Sequence, residues 1–311
     1  MILIDQVSHR YGDLLALDEV TLEMGRGTIT AIVGTSGSGK STLLRTINRL
    51  IRPTAGRVLV DGRDVGDIPG EELRRGIGYV IQGYGLFPHW SVARNIGTVP
   101  SLLGWPKQRI RARVDELLEM FGLDPGLYRA KRPHELSGGE QQRVGVARAL
   151  AAEPAILLMD EPFGSLDPII RGKAQEDLLA IQRRLGLTIV LVTHDFDEAI
   201  LLGDRIAVMS FGRVLQYATP AELLAHPAEG FVEQLVGARD RALRILSLTE
   251  AASAIEPGEA PGAAIAETTD LRSALSELLW RGAESLPVAG QDGAVRGRIT
   301  LSAILSRAVG K

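Results

Sequence analysis

A glycine-rich run between an apolar strand and an amphipathic helix constrains the fold of this chain most strongly. Residues 34–42 read Gly-Thr-Ser-Gly-Ser-Gly-Lys-Ser-Thr, with an apolar run at 29–33 before them and apolar residues at helical spacing from Leu43 to Ile51 after them. Glycines let backbone N–H groups turn inward around a polyphosphate, and the following helix adds the positive end of its dipole. The chain is therefore predicted to bind a nucleoside triphosphate.

Two side chains of this run have specific expected roles. Lys40 should reach the β- and γ-phosphates, and the Ser41 hydroxyl should ligate Mg²⁺. A flexible glycine–serine turn would have the same composition, but the flanking strand and helix favour phosphate binding. The predicted nucleotide-binding residues of the loop are Gly34, Thr35, Ser36, Gly37, Ser38, Gly39, Lys40, Ser41 and Thr42.

Bulk composition limits the classes of function. The 311 residues suffice for one large α/β domain and a small second one, and a net charge of −3 argues against a nucleic-acid partner. The absence of cysteine excludes disulfides and thiolate metal sites and fits a reducing compartment. The first ten residues do not resemble a signal peptide, and no apolar run approaches the roughly 18 residues of a membrane span. A membrane role is therefore expected to depend on a partner protein.

Apolar patterning predicts an α/β domain over residues 1–237. Near-continuous apolar runs at 155–159 and 188–193 are typical of parallel strands that are buried on both faces. Residues from about 91 to 150 are expected to form a helical subdomain, because their apolar positions keep mainly helical spacing. Two further strands are predicted within 204–219.

The composition changes after Gly237, and residues 238–311 are predicted to form a second, small α+β segment. Residues 250–266 are rich in alanine, glycine, proline and glutamate, and we interpret them as a loose connection. Beyond them, the spacing predicts the order helix, strand, turn, strand, helix between Leu271 and Leu305.

Two adjacent carboxylates follow the apolar run at 155–159. Asp160 and Glu161 would leave the carboxyl end of a parallel strand, where sheets of this kind bind ligands. A polar strand end that leads into a turn at Pro162 would look the same, but the phosphate-binding loop favours a catalytic pair. Asp160 is expected to hold Mg²⁺ through water, and Glu161 to accept a proton from an attacking water.

The segment Leu136–Arg143 reads Leu-Ser-Gly-Gly-Glu-Gln-Gln-Arg. Ser137 and Glu140 match the S-x-x-E capping box, which predicts a helix start. A cap alone does not need two glycines, each of which lowers helix stability by about 1 kcal/mol. Gly138 and Gly139 are therefore expected to leave the helix N-terminus open to a phosphate as well.

Together these motifs resemble the ATPase subunits of ABC transporters over residues 2 to about 237. Leu-Ser-Gly-Gly-Glu at 136–140 matches the family signature. The other matching positions are Tyr11 for the aromatic that stacks on adenine, Gln82 for the Q-loop, Asp167 for the D-loop and His194 for the switch histidine. The resemblance implies a P-loop NTPase of the ABC ATPase type, with a mixed sheet core, an antiparallel β subdomain and a helical signature subdomain.

The resemblance also implies a mechanism that needs two copies of the chain. Each ATP would lie between the phosphate loop of one copy and the signature of the other. Glu161 and His194 would be catalytic, and Ser41, Gln82 and Asp160 would coordinate Mg²⁺. The implied partners are transmembrane permease subunits and, indirectly, a solute-binding protein, with the chain at the cytoplasmic face of the plasma membrane.

Three further segments resemble importers of quaternary amines such as glycine betaine, proline betaine, choline and carnitine. They are Ile47–Ile51, Gly85–His89 (Gly-Leu-Phe-Pro-His) and Val144–Leu150. The alternatives are an importer ATPase for another small solute, such as an amino acid or polyamine, a soluble ABC ATPase that acts on nucleic acid, and a regulatory nucleotide-binding subunit. The acidic net charge disfavours the nucleic-acid alternative, and intact Glu161 and His194 disfavour the regulatory one.

The end of the chain resembles a single CBS motif, whose family usually carries two in tandem. Ala303 stands where that family has a ribose-binding aspartate, so a degenerate packing or dimerisation module is favoured over a nucleotide sensor. A half-module is expected to leave an apolar face uncovered, which a second copy would bury. The residues of that face would be Leu271, Leu275, Leu278, Val288 and Ile299.

Overall fold

The computed structural model describes residues 1–237 and 240–308. The chain divides into two compact units, with the second beginning at Ala218. This division comes before the predicted boundary after Gly237, because the helix Pro220–Ala225 packs against the helix Arg241–Ser247. Residues 238, 239 and 309–311 of the predicted C-terminal segment lie outside the described residues.

The first unit contains ten strands and nine helices within its described residues. The strands are β1 (Ile2–Tyr11), β2 (Leu14–Met24), β3 (Ile29–Gly34), β4 (Ala55–Val60), β5 (Arg63–Asp64), β6 (Ile77–Val80), β7 (Ile156–Asp160), β8 (Thr188–Thr193), β9 (Arg205–Ser210) and β10 (Arg213–Ala218). The helices are α1 (Lys40–Ile47), α2 (Gly70–Arg75), α3 (Val92–Ile96), α4 (Thr98–Leu102), α5 (Lys107–Met120), α6 (Pro125–Tyr128), α7 (Gly138–Leu150), α8 (Pro168–Leu185) and α9 (Phe196–Leu202), with a 3₁₀ turn at Pro133–Glu135.

Two sheets organise the first unit. A four-stranded antiparallel sheet has the order β2-β1-β4-β5, and a six-stranded sheet has the order β10-β9-β3-β8-β7-β6. Strands β9, β3, β8, β7 and β6 run parallel. β10 returns through a two-residue turn, which only an antiparallel pair can use. The predicted mixed sheet and antiparallel β subdomain are confirmed.

The six-stranded sheet separates two hydrophobic cores. Leu157 and Met159 face the core that α3, α5, α7 and α8 build, which confirms the predicted helical subdomain. Ile156 and Leu158 face the opposite core, which β1, β2 and α1 share. Every residue of β3, β7 and β8 is buried, as expected for parallel strands that are covered on both faces.

This strand order places the predicted site residues at one edge of the sheet. β3 ends at Gly34, β8 ends at Thr193 and β7 ends at Asp160, and these strands are neighbours in the order β3-β8-β7. Because parallel strands end on the same side, the loops that follow them converge there. Among the described helices, none is both long and apolar enough to cross a bilayer.

The second unit holds helices and a small sheet of its own. Its elements are α10 (Pro220–Ala225), α11 (Phe231–Val236), α12 (Arg241–Ser247), a 3₁₀ turn at Ala251–Ala254, β11 (Ile265–Ala266), α13 (Leu271–Arg281), β12 (Ser285–Ala289), β13 (Val295–Thr300) and α14 (Leu301–Ala308). The sheet has the order β11-β12-β13. The predicted order of helix, strand, strand and helix is confirmed for α13 to α14.

The prediction that 250–266 form a loose connection is wrong for 251–256, which pack onto the second unit, whereas 257–264 lie outside any helix or strand and are mostly exposed, as predicted. Ala251 is fully buried and donates its N–H to the Thr269 carbonyl at 2.7 Å. Glu256 exchanges two backbone hydrogen bonds with Arg298, of 2.8 and 2.9 Å. Alanine fits closely packed positions as readily as loops, so composition could not reveal this packing.

The expectation of an uncovered apolar face is also wrong. Leu271, Val288 and Ile299 are fully buried, Leu278 nearly so, and Leu275 is partly buried against the same core. The core is closed from within the unit, because Leu246 of α12, together with Ala251 and Ala254, packs onto it.

A buried carboxyl group on α9 makes stability depend on pH. Glu198 accepts a hydrogen bond from the Gln175 Nε2 at 3.0 Å, and its burial raises its pKa above the ordinary value. The folded chain therefore holds this proton to higher pH than the unfolded chain. Stability falls as pH rises from the ordinary glutamate range through the raised pKa.

We expect Glu198→Gln to remove this part of the pH dependence, because a neutral amide avoids the burial penalty and keeps an acceptor for Gln175. The melting temperature should rise relative to the unmodified chain at pH 8, and the difference should shrink at pH 4.5. Thermal unfolding across this range is the measurement, and the exposed Glu176→Gln is the matched control. An equal change in melting temperature at both pH values would contradict the raised pKa of Glu198.

Candidate functional site

The glycine-rich loop joins β3 to α1, and neighbouring backbone requires glycine at two of its positions. A Cβ at Gly34 would lie 2.1 Å from the Met209 carbonyl oxygen. A Cβ at Gly39 would lie 2.3 Å from the Ala16 carbonyl oxygen, and Gly39 has a φ of +98°. Packing within the chain therefore requires glycine at these two positions, whether or not a phosphate is bound.

Lys40 lies under the loop with its ammonium group on the loop's own carbonyls. Its Nζ donates to the carbonyl oxygens of Gly34 at 2.8 Å and Thr35 at 2.9 Å. Burial lowers the pKa of Lys40, although the nearby carboxylates of Glu161 and Asp160 oppose that effect. The ammonium is thus bonded to the loop itself.

A cleft of about 320 Å³ lies over the loop. Its lining includes Leu14, Leu15 and Ala16 of β2 and the predicted base Glu161. It also includes most of the predicted nucleotide-binding residues, namely Tyr11, Ser36, Gly37, Gly39, Lys40, Ser41 and Thr42. Tyr11 is 48% exposed, and its ring stands edge-on to His9 with the ring centroids 4.6 Å apart. Three loop residues lie outside this lining, of which Gly34 and Ser38 are buried and Thr35 is exposed.

A hydroxyl and a carboxylate meet where α1 approaches the end of β7. The Ser41 Oγ donates to the Asp160 Oδ1 at 2.7 Å, and Asp160 is 2% exposed. The described residues contain no cluster of three histidine, cysteine or acidic side chains that could hold a metal. The donor set still fits Mg²⁺, which favours a few oxygen ligands from the protein and takes the rest from phosphates and water.

Glu161 lies between Gln82, a predicted magnesium ligand, and His194, the other predicted catalytic residue. Its Oε2 accepts from the Gln82 Nε2 at 3.1 Å and lies 3.5 Å from the His194 Nδ1. Glu161 has a φ of +47°, a left-handed conformation that is strained for a glutamate and that functional sites often contain. The structure thus brings Gln82, Glu161 and His194 together at the carboxyl edge of the sheet.

The predicted capping box at the start of α7 is confirmed. The Ser137 Oγ accepts from the Glu140 N–H, and the Glu140 carboxylate accepts from the Ser137 N–H at 2.7 Å. A Cβ at Gly138 would lie 2.6 Å from the Tyr84 hydroxyl, and one at Gly139 would lie 2.5 Å from the Ile170 side chain. Contacts within the chain therefore account for both glycines without a phosphate.

The signature and the D-loop residue lie apart from the cleft. None of the described residues that line it comes from Ser137, Gly138, Gly139 or Glu140. Asp167 caps α8 by accepting from the Ile169 N–H at 3.2 Å and the Ile170 N–H at 3.1 Å. One copy of the chain therefore does not bring its own signature to its phosphate-binding loop.

Two residues around Asp160 were not predicted from the sequence. The Arg45 Nη2 lies 3.6 Å from the Asp160 Oδ2, and Arg45 also forms a hydrogen bond with the Tyr79 hydroxyl. Burial raises the pKa of Tyr79, and the nearby Asp160 carboxylate raises it further. Arg45 follows Ser41 by one helical turn, so the spacing could have indicated that both reach the same carboxylate. Tyr79 gave no such signal, because only the sheet pairing of β6 with β7 brings it near Asp160.

Sequence and structure comparisons relate the chain to ATP-binding proteins of transport systems. A family model described as ABC transporter matches residues 17–164. The chain is 47% identical over 309 residues to the glycine betaine uptake system ATP-binding protein YehX of Escherichia coli (strain K12), covering 99% of this chain and 100% of the relative.

Two further similarities concern mainly the first unit. The chain is 49% identical over 238 residues to the glycine betaine/carnitine/choline transport ATP-binding protein OpuCA of Bacillus subtilis (strain 168), covering 76% of this chain and 62% of the relative. Among solved structures, the ATP-binding cassette MJ0796, a dimer bound to ADP and Pi, is 34% identical. It has a TM-score of 0.64 and covers 71% of this chain and 99% of that chain.

The two loop glycines Gly37 and Gly39 provide a matched test of the loop geometry. Both have positive φ, but a Cβ at Gly37 has no atom within 4 Å, whereas one at Gly39 meets the Ala16 carbonyl. Gly37→Ala should lower the free energy of unfolding by about 1–2 kcal/mol, the ordinary left-handed penalty. Gly39→Ala should lower the free energy of unfolding further, because the backbone at Ala16 must move to make room for the added Cβ. Urea unfolding without nucleotide measures both, and equal losses would contradict the close approach to Ala16.

Proposed function

The chain belongs to the ABC transporter family of ATPases, and we propose that it energises an importer of osmoprotectant quaternary amines such as glycine betaine, choline, carnitine and proline betaine. The observation that carries the solute class is the similarity to YehX along the full length, including the second unit. The similarity to OpuCA, whose name includes glycine betaine, carnitine and choline, supports it.

In the proposed reaction, ATP lies in the cleft over the phosphate-binding loop. Tyr11 stacks on adenine, since its ring is half exposed at the rim of the cleft. The Lys40 ammonium turns from the Gly34 and Thr35 carbonyls toward the β- and γ-phosphates, which supply stronger acceptors. The loop residues from Gly34 to Thr42 surround the phosphates with backbone N–H groups.

Magnesium, when bound with ATP, neutralises phosphate charge and aligns the γ-phosphate. Ser41 and Gln82 would hold it with their side-chain oxygens, and Asp160 would hold it through water. The Ser41 hydroxyl, now donating to Asp160, offers its oxygen to the cation. Arg45 shares Asp160 and offsets its negative charge from the opposite side.

Hydrolysis depends on Glu161 and His194. Glu161 accepts a proton from the water that attacks the γ-phosphate, and its Oε2 already accepts one hydrogen bond, from Gln82, at the edge of the cleft. His194, 3.5 Å from the same oxygen, contacts the γ-phosphate and orients the site. Gln82 keeps the Glu161 carboxylate in place by its 3.1 Å hydrogen bond.

The site is completed by a second copy of the chain. The N-terminus of α7, which carries the signature residues Ser137, Gly138, Gly139 and Glu140, lies outside its own cleft. It would bind the γ-phosphate of ATP on the partner copy through its backbone N–H groups and the Ser137 hydroxyl. Asp167 lies in the loop before α8 and would face the same interface. The dimeric state of the similar cassette MJ0796 supports this arrangement.

Permease subunits would dock on a groove of about 380 Å³ beside the Q-loop. The groove is lined by Leu50, Tyr79, Phe87 and Arg148, among others, and Phe87 is 40% exposed. Arg148 donates to the Gly85 carbonyl at 2.6 Å, which ties the groove to the segment after Gln82. Docked there, the chain would lie at the cytoplasmic face of the plasma membrane, and a solute-binding protein would act indirectly through the permease.

The exchange of one carboxylate tests the proposed function. Glu161→Gln removes the base but keeps the shape, so turnover should fall at least about 100-fold while ATP binding persists. ATPase activity and uptake of labelled glycine betaine should be measured in vesicles that contain the complex purified with this chain. Glu176→Gln, exposed on α8, is the matched control.

Two outcomes would contradict different parts of the proposal. Near-normal turnover in Glu161→Gln would remove Glu161 from the catalytic role. Normal ATP hydrolysis without uptake of any quaternary amine would support the ATPase activity but overturn the proposed solute class.

A further inference from the structure

The carboxylate of Glu140 is fully engaged within its own chain. Its Oε1 accepts from the Tyr128 hydroxyl, and its Oε2 accepts from both the Ser137 N–H at 2.7 Å and the Ser137 hydroxyl at 2.9 Å. The capping box needs only the bond from the backbone N–H. The hydroxyl-to-carboxylate bond also occurs between Thr219 and Glu222 in another capping box of the chain, so the Tyr128 hydroxyl is the donor that is additional to the cap.

The engagement of Glu140 has a consequence for Ser137. A serine hydroxyl has one proton, and in this structure Ser137 donates it to Glu140 while accepting from the Glu140 N–H at 3.3 Å. A phosphate oxygen is an acceptor only, so it needs that proton. Ser137 must leave Glu140 before its hydroxyl can bind the ATP of another copy.

We propose that Tyr128 is a positioning residue that fixes the Glu140 carboxylate, so that Glu140 withholds the Ser137 hydroxyl proton until a second copy's ATP competes for it. This inference rests on the proposed function, in which Ser137 meets the γ-phosphate of the partner copy. Glu140 then opposes formation of the ATP-bound dimer, and Tyr128 holds the Glu140 carboxylate in the position where it does so.

The surroundings of Tyr128 suit this role. Tyr128 ends α6 and packs against the helical core, and the Lys131 ammonium lies 4.0 Å from its ring centroid. The bond from Tyr128, with the nearby charge of Lys131, lowers the pKa of Glu140 and keeps it ionised. An ionised carboxylate holds a hydroxyl proton more strongly than a neutral amide does, and it also repels an approaching phosphate.

The variant Glu140→Gln distinguishes the opposition of Glu140 to dimerisation from its role in capping α7. Glutamine also serves in capping boxes, and its oxygen can accept from the Ser137 N–H while its NH₂ group donates to the Ser137 oxygen. The Ser137 proton is then available to phosphate, and the repelling charge is gone. Phenylalanine at position 128 leaves Glu140 in place but removes the bond that fixes it.

The test measures ATP-driven dimerisation of the full chain by sedimentation, in the Glu161→Gln background with ATP and Mg²⁺. Glu140→Gln should lower the dimer dissociation constant about tenfold, the lower end of the effect of one hydrogen bond to a charged group. Tyr128→Phe should lower it less, and the double variant should match Glu140→Gln alone, because the tyrosine acts through Glu140. Tyr217→Phe removes a hydroxyl that bonds the Glu23 carbonyl and is the matched control.

The results separate this inference from the proposed function. Ser137→Arg should abolish the ATP dimer without weakening ATP binding by single copies; if the dimer persists, the proposed function and the inference both fail. If Ser137→Arg abolishes it but Tyr128→Phe and Glu140→Gln weaken or do not change dimerisation, only the positioning role is wrong. Additive effects in the double variant would also overturn it, because they would mean that Tyr128 acts independently of Glu140.

Discussion

The hydrogen bond between Ser41 and Asp160 joins the phosphate-binding loop to the catalytic strand end, and much of the site depends on it. Ser41 belongs to α1 and Asp160 ends β7, with β8 between β3 and β7 in the sheet. The bond forms because parallel pairing brings the ends of these strands to one edge. Glu161 follows Asp160 directly, so the same constraint places the proposed base beside Gln82 and His194.

Sequence patterns predicted the parts of the site that depend on local geometry. The loop at 34–42, the carboxylates after β7 and the capping box of Ser137 and Glu140 all follow from spacing along one segment. The buried parallel strands followed from continuous apolar runs, whereas the mixed character of the sheet was implied by the family resemblance. The roles assigned to single residues in ATP hydrolysis stay predictions that the variants above test.

Contacts between distant segments were harder to predict. The Tyr79–Arg45–Asp160 group depends on strand order, and the Tyr128–Glu140 bond depends on how α6 packs beside α7. In the second unit, Ala251 and Ala254, which were predicted to belong to a loose connection, are buried in the core. The CBS resemblance itself stays a prediction.

The central claim is that two copies form each ATP site, and mixing two inactive variants tests it most directly. Lys40→Ala disables the phosphate loop, and Ser137→Arg disables the signature, so each pure variant should be inactive. In a mixed dimer, the intact loop of one copy meets the intact signature of the other, and equal mixing should restore up to about a quarter of the activity. A mixture as inactive as its components, or a fully active Ser137→Arg variant, would contradict the claim.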